Sequence, residues 1–341
     1  MMGSAMSLPQ VEAAVDDLRL AHRELLRVVD GLAEGDWERA VPYGEWTVKD
    51  LVAHVIGDMS PGWAGLILAG VLTPQFIVDM GKGYDSRTGN SSTVEERRRL
   101  TREDLRQMLF EAHDESTASA LRLDESHLPV LDYVVPIGPE YELRIGDFLW
   151  RGAHDRQHAD DIRRALEVDW SPKPLSFCPE IERKMRRLEV SQEMFVRAAY
   201  SVADEAWGEE SPACPGWTYH DIVAHIASNE VRRQTRLMSA LGEASPEELD
   251  AINDIDGWNA RVVADRREWT LRRLMDELAS GWRGVLEVLS RFKSEDVARD
   301  VVLGNGQIMT ADEFLKRMGA HTSRHAGQLV AGSRARRIGT S

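Results

Sequence analysis

Trp46-Thr-Val-Lys-Asp-Leu-Val-Ala-His54-Val and Trp217-Thr-Tyr-His-Asp-Ile-Val-Ala-His225-Ile are one stretch written twice in the same chain. Six of the ten positions are identical, and two more exchange one aliphatic residue for another. A second pair follows: Gly152-Ala-His154-Asp-Arg-Gln-His158-Ala and Gly319-Ala-His321-Thr-Ser-Arg-His325-Ala. In each half the second motif trails the first by about a hundred residues, slightly fewer in the later half, so order and distance repeat together. The chain therefore reads as a duplication. Its 341 residues suit two domains of ordinary size. The division is expected in the proline-rich stretch Ser171-Pro-Lys-Pro-Leu175, giving domains over 8–170 and 178–334.

Each half is expected to be all-α, a four-helix bundle. Val11, Val15, Leu18, Leu25, Val28, Val29 and Leu32 recur at helical spacing before Gly35. Thr47 stands at an N-cap with Asp50 at the capping-box position, and Thr218 with Asp221 repeats that start. Further helices are expected from Val94 to Leu121 and from Ile145 to Leu166. In the second half the matching stretches are Glu180 to Trp207, Tyr219 to Leu241, Leu271 to Phe292 and Ala311 to Ala331, the last opened by Thr310 and Glu313. Four amphipathic helices per repeat point to a bundle. Between the third and fourth of each, Leu131 to Leu143 and Val297 to Met309 read as extended, the place for a short hairpin or crossover.

Composition narrows the function classes. A formal net charge of −15 argues against a nucleic-acid partner, which would meet a basic face. Glu96 to Arg99 reads as a solvated helix face and Arg334 to Arg337 as a C-terminal tail. Two cysteines, Cys178 and Cys214, give neither a disulfide framework nor a thiolate zinc pattern. The opening MMGSAMSLPQ lacks the apolar core of a signal peptide. The most apolar window, Met59 to Phe76, is broken by glycines, prolines and polar residues, so no membrane span is expected. A cytoplasmic protein acting on a small molecule is the expectation, with the two bundles pairing internally in a monomer or dimer.

The histidines carry the chemistry. His154 and His158 are four apart on one helix, so their Cβ atoms lie roughly 5–6 Å apart on one face and can share a cation. The glutamate general base of the zinc-protease helix is absent, since Asp155 and Thr322 follow the first histidine of each pair. His54 on the interior stripe of the second helix is the natural third ligand; His225, His321 and His325 repeat the set. Six of the ten histidines occupy these repeated positions; His22, His113, His127 and His220 have no counterpart and read as ordinary surface or structural residues. Three neutral nitrogen ligands leave coordination positions open, as catalytic sites do. Imidazole suits several divalent metals, with zinc or nickel expected, up to one per domain.

These two motifs resemble the DinB-like superfamily, and within it the mycothiol-dependent maleylpyruvate isomerase N-terminal type. Cys214-Pro-Gly-Trp-Thr218 is especially similar to the approach to helix two in that subgroup. Taken as two copies, the resemblance spans nearly the whole chain. It implies a four-helix bundle with three histidines on a divalent metal, in a group whose members include thiol S-transferases and isomerases using mycothiol or bacillithiol, as well as metal-dependent hydrolases. The first copy departs from the pattern with Tyr43-Gly-Glu-Trp46, and a second bundle stands where the isomerases carry a separate C-terminal domain.

The expected activity is thus metal-dependent use of a low-molecular-weight, mycothiol-like thiol on an electrophilic small molecule. Metal-water hydrolysis is the first alternative, and a non-catalytic ligand-binding or stress-response module the second. Asp58 and Asn229, four residues after His54 and His225, are candidates for proton handling or for orienting a ligand. Cys214 reads as a structural loop residue rather than a nucleophile. Arg156 and Arg324 are expected to point off the ligand face. Trp46 and Trp217 are expected beneath the start of the second helix, and Trp150, Trp258, Trp269 and Trp282 mostly in core packing.

Overall fold

A computed structural model describes residues 8–42, 46–76, 86–136, 142–149, 152–168, 170, 175–303 and 307–339. The backbone divides into two compact units, Met1–Pro172 and Lys173–Ser341.

In the first unit α1 (Pro9–Asp30) opens with proline at its first turn and buries Val11, Val15, Leu18, Leu25 and Val29. Next come α2 (Val48–Met59), α3 (Gly62–Leu68), α4 (Ser86–Arg97) and α5 (Arg102–Ala120). A hairpin of β1 (Val134–Pro136) and β2 (Glu142–Arg144) leads into α6 (Gly152–Glu167). Its strands pair antiparallel with Val135 opposite Leu143. The bundle is formed by α1 packed on α6 and α2 packed on α5. Leu51, Val52, Val55 and Ile56 of α2 meet Leu105 and Leu109 of α5 and Ile162 of α6 in one core. Burying each such side chain contributes roughly 1.5–3 kcal/mol.

The second unit repeats the plan with α7 (Pro179–Tyr200), α8 (Tyr219–Ala240), α9 (Pro246–Ala251), α10 (Ile255–Arg266) and α11 (Leu271–Leu289). A second hairpin, β3 (Asp300–Val302) and β4 (Ile308–Thr310), precedes α12 (Ala311–Gly339). Here α7 packs on α12 and α8 on α11.

Several boundaries differ from the sequence expectation. The single helix expected from Val94 to Leu121 is two, because Thr101 and Asp104 form a reciprocal cap that starts a new helix inside the apolar repeat. The helix expected from Ile145 begins only at Gly152, after a 3-10 turn over Ile145–Leu149. The one expected to reach Trp207 stops at Tyr200, and α12 runs through Gly332 to Gly339. Helices α3, α9 and α10 were not anticipated, although Ser245 with Glu248 and Asp254 with Gly257 supply local caps. Val48–Leu68, with mean hydropathy 1.3, passes a composition test for a membrane span, but just over half of its apolar window is buried in its own unit. Pro61, which has no N–H to donate, follows the last turn of α2.

The contact of α8 with α11 depends on two glycines. A Cβ on Gly281 would lie 2.6 Å from the Cβ of Glu230, and one on Gly284 2.5 Å from the Gln234 amide. Gly281→Ala should therefore lower the stability of the second unit by about 1–3 kcal/mol of overpacking, despite a helix-propensity gain of about 1 kcal/mol. Denaturant unfolding of the variant measures this; a rise in stability would show that the helices are not this close.

Candidate metal centres

Helix α2 starts at Thr47, whose Oγ1 accepts from Asp50 N at 3.2 Å while Asp50 Oδ2 accepts from Thr47 N at 3.1 Å. Helix α8 starts at Thr218 through the matching pair with Asp221, at 3.1 and 2.9 Å. In each helix the histidine is seven residues past the cap, so both side chains leave the axis at the same phase and depth. The preceding loops also correspond: Val41 N donates to Trp46 O and Ser211 N to Trp217 O. Residues 43–45, where the first copy departs from Cys214-Pro-Gly-Trp217, lie outside the described residues, as does Trp150.

Among the described residues two groups of three histidines each bring one ring nitrogen per residue within 4.8 Å of the others: His54, His154 and His158, and His225, His321 and His325. In the first, His154 Nε2 lies 3.3 Å from His54 Nε2 and 3.0 Å from His158 Nε2. In the second, His225 Nε2 lies 3.3 Å from His321 Nε2. Metal–nitrogen bonds of about 2.0–2.1 Å at tetrahedral angles place ligand nitrogens about 3.3 Å apart, so the spacing fits a divalent metal. The rings stand edge to face, at 62°, 88° and 86° in the first group, which aims nitrogens rather than ring faces at the common point.

What surrounds the two groups differs. In the first unit His158 Nδ1 donates to Asp161 Oδ2 at 3.0 Å, which leaves Nε2 with its lone pair turned inward. Asp155 is fully buried, 3.9 Å from His154 Nδ1, and Asp58 Oδ2 lies 3.4 Å from His154 Nε2. The corresponding positions of the second unit are Thr322, Gln328 and Asn229, none of them charged. There Arg233, buried, pairs with Glu230 and donates to Thr322 Oγ1 at 2.7 Å, next to His321. Burial, then His325, Arg233 and Arg232, push His225 down to about 3, while Asn259 beside the ring acts the other way. Burial likewise holds His325 at about 4 and His321 well below 6.5. All three are neutral imidazoles at pH 7, the form that binds metal.

Other residues fall in places the sequence did not assign. Trp46 packs on the core around the start of α2 and also stands 5.0 Å from the His54 ring; Trp217 stands 5.0 Å from His225 and stacks on His325 at 6.5 Å. Both indoles therefore wall the histidine groups. Arg156 does point off the ligand face, to Asp17 of α1 at 3.1 Å. Trp258 and Trp269 carry arginines over their rings rather than core contacts alone, whereas Trp282 packs on the core. His22 and His113 form a buried stack, centroids 3.8 Å apart, with His22 Nδ1 3.5 Å from Asp155 Oδ2. Burial and His22 push His113 down to about 4. Cys214 is half-buried with its thiol pushed up by burial, which disfavours a nucleophilic thiolate. The roles of Asp161 and Asn259 were missed. The first was visible as a carboxylate three residues after His158 on one helix, whereas Asn259 comes from a helix the sequence reading did not place.

The family model for the mycothiol maleylpyruvate isomerase N-terminal domain matches the chain twice, over residues 18–163 and 189–326. No curated protein and no solved structure matches it. Each matched segment holds one complete histidine group on one four-helix bundle, and the chain belongs to this family as a tandem duplication of its domain.

Proposed function

We propose that the chain is a metal-dependent enzyme that uses a low-molecular-weight thiol on an electrophilic small molecule, and that its six paired histidines are the metal ligands. The observation that carries this reading is the convergence of three imidazole nitrogens in each of two units, walled by Trp46 and Trp217. The family description suggests the thiol, since it names a mycothiol maleylpyruvate isomerase domain. A divalent metal, zinc or nickel, held by His54, His154 and His158 or by His225, His321 and His325, would supply Lewis acidity and lower the pKa of a bound thiol or water.

The chain's own residues do the rest. Asp161 fixes the tautomer and orientation of His158. Asp58, with its side chain 30% exposed beside His154, is placed to take a proton on Oδ2 from a thiol entering the first site. Trp46 and Trp217 exclude water from one side of each group. Asn229 in the second site offers hydrogen bonds but cannot hold the proton, so the first unit is the better equipped for chemistry. Asp58 equally suits proton transfer from water, and on that ground hydrolysis is the second reading. The cellular setting we infer is the cytoplasm.

Elemental analysis should find about two ions per chain and about one in His158→Ala or His325→Ala, at one metal per triad. Unchanged content in both would remove the ligand assignment. Asp161→Asn should weaken metal binding at the first site by about 10–100-fold while leaving the second unaltered. With metal restored, loss of free thiol should track consumption of the electrophile; consumption indifferent to thiol would hand the site to hydrolysis.

The depressed histidines also set a pH dependence. Below 6.5 the unfolded chain takes up protons that folded His225 and His325 refuse until about 3 and 4. Stability present above pH 6.5 is therefore lost as pH falls towards those values. In metal-stripped protein the Tm of the second unit should drop between pH 7 and 4.5, and drop less in His325→Ala. An equal drop in both would mean that His325 is not held neutral.

A further inference from the structure

Helix α6 carries Asp155 directly after the ligand His154, and a step of one residue turns the side chain by about 100°, off the metal side and towards α1. There Asp155 is fully buried, and among the described residues neither carboxylate oxygen accepts a hydrogen bond. Two imidazoles flank it. His22 Nδ1 of α1 lies 3.5 Å from Oδ2, and His154 Nδ1 lies 3.9 Å from Oδ1. His22 is itself 2% exposed, and neither of its ring nitrogens has a hydrogen-bond partner among the described residues. Its ring lies flat on that of His113 from α5, with centroids 3.8 Å apart and planes at 10°.

A buried carboxylate without hydrogen bonds is costly, and so is a buried imidazole whose nitrogens find no partner. Each supplies what the other lacks, an acceptor on one side and an N–H on the other. The separation of Nδ1 and Oδ2 exceeds a hydrogen bond by only about 0.3 Å, which a small side-chain rotation closes. The stack on His113 restrains the plane of the His22 ring while its edge meets Asp155. Residues one apart on a helix do not face each other, so Asp155 acts on His154 through the field of its oxygen rather than through a bond. That field favours the tautomer with the proton on Nδ1, which leaves the lone pair on Nε2, the nitrogen that faces His54 and His158. The second unit drops both members together. Helices α1 and α7 each run 22 residues from a proline, Pro9 and Pro179, so His22 in one matches Gln192 in the other. Thr322 stands where Asp155 would and accepts from Arg233 instead, and His321 Nδ1 is buried without a partner among the described residues.

We propose that His22 and Asp155 are a positioning pair for the first metal centre: His22 holds the Asp155 carboxylate, and the carboxylate sets the tautomer and orientation of His154. The pair rests on the ligand assignment made above, and it gives His154 a support that His321 lacks.

The test is made in the full chain carrying His325→Ala, so that the first triad alone remains, with zinc affinity measured by competition against a chelator. Asp155→Asn should weaken zinc about 10–100-fold. His22→Phe, which keeps the stacked ring but removes its nitrogens, should weaken it about three- to tenfold. Because His22 acts through the carboxylate, the double variant should bind no worse than Asp155→Asn alone; two additive losses would overturn the pair. The visible absorption of cobalt(II) in the first site should shift in both single variants, which a general loss of stability would not produce. In a His158→Ala chain, where the second triad alone remains, the same changes should leave zinc affinity unaltered, and equal losses at both sites would defeat the proposal. Unweakened zinc binding by both single variants sinks the pair and leaves the ligand assignment standing. A His325→Ala chain that takes up no zinc removes the assignment and the pair with it. Should Asp155→Asn fail to fold, undiminished binding by His22→Phe overturns the pair alone.

Discussion

The reciprocal hydrogen bonds between Thr47 and Asp50, and between Thr218 and Asp221, set where the second helix of each unit begins. Because an α-helix turns by 100° per residue, a start displaced by one residue would swing the histidine seven positions on away from the bundle interior. The cap gives each helix end two satisfied N–H groups and fixes the phase of everything that follows. His54 and His225 meet their partners because of it. Those partners, four residues apart on the last helix of each unit, need only that helix to face inward. The apolar contacts around Ile162 and Leu329 ensure this by burying the same side that carries the histidines.

Burial then governs the chemistry. Five of the six imidazoles are almost inaccessible, and in the second unit this removes their positive charge over the whole physiological range. Ring nitrogens facing one another at 3.0–3.3 Å compete for the same space, and a cation held between them would resolve that conflict.

Duplication freed the two copies to diverge in charge while keeping the three nitrogens. Around the first group stand Asp58, Asp155 and Asp161; the matching positions of the second unit are Asn229, Thr322 and Gln328, and Arg232 and Arg233 are felt at His225. Three carboxylates would strengthen the hold on a cation bound by the first group. The break after Met59 in the first unit and the unbroken α8 in the second give this difference a structural basis, since only a continuous helix can carry Arg232 and Arg236 on the face of His225.

Much of this was legible in the amino-acid order, because it rests on local and periodic signals. The doubled Trp-Thr motif announced the duplication, the capping pairs announced helix starts, and the i, i+4 histidines announced a shared face. Local signals also misled where a cap interrupted an apolar repeat, as Thr101 does between Val94 and Leu105. Sequence alone determined the family, the repeated bundle and which six histidines to consider, since each follows from spacing along the chain. Only the tertiary structure decided that Trp46 and Trp217 face the imidazoles, that Asn259 stands by His225 and that Arg232 lies over the ring of Trp258. Those facts depend on which side chains from distant helices meet, and contacts between helices are set by packing in three dimensions, for which no spacing rule exists.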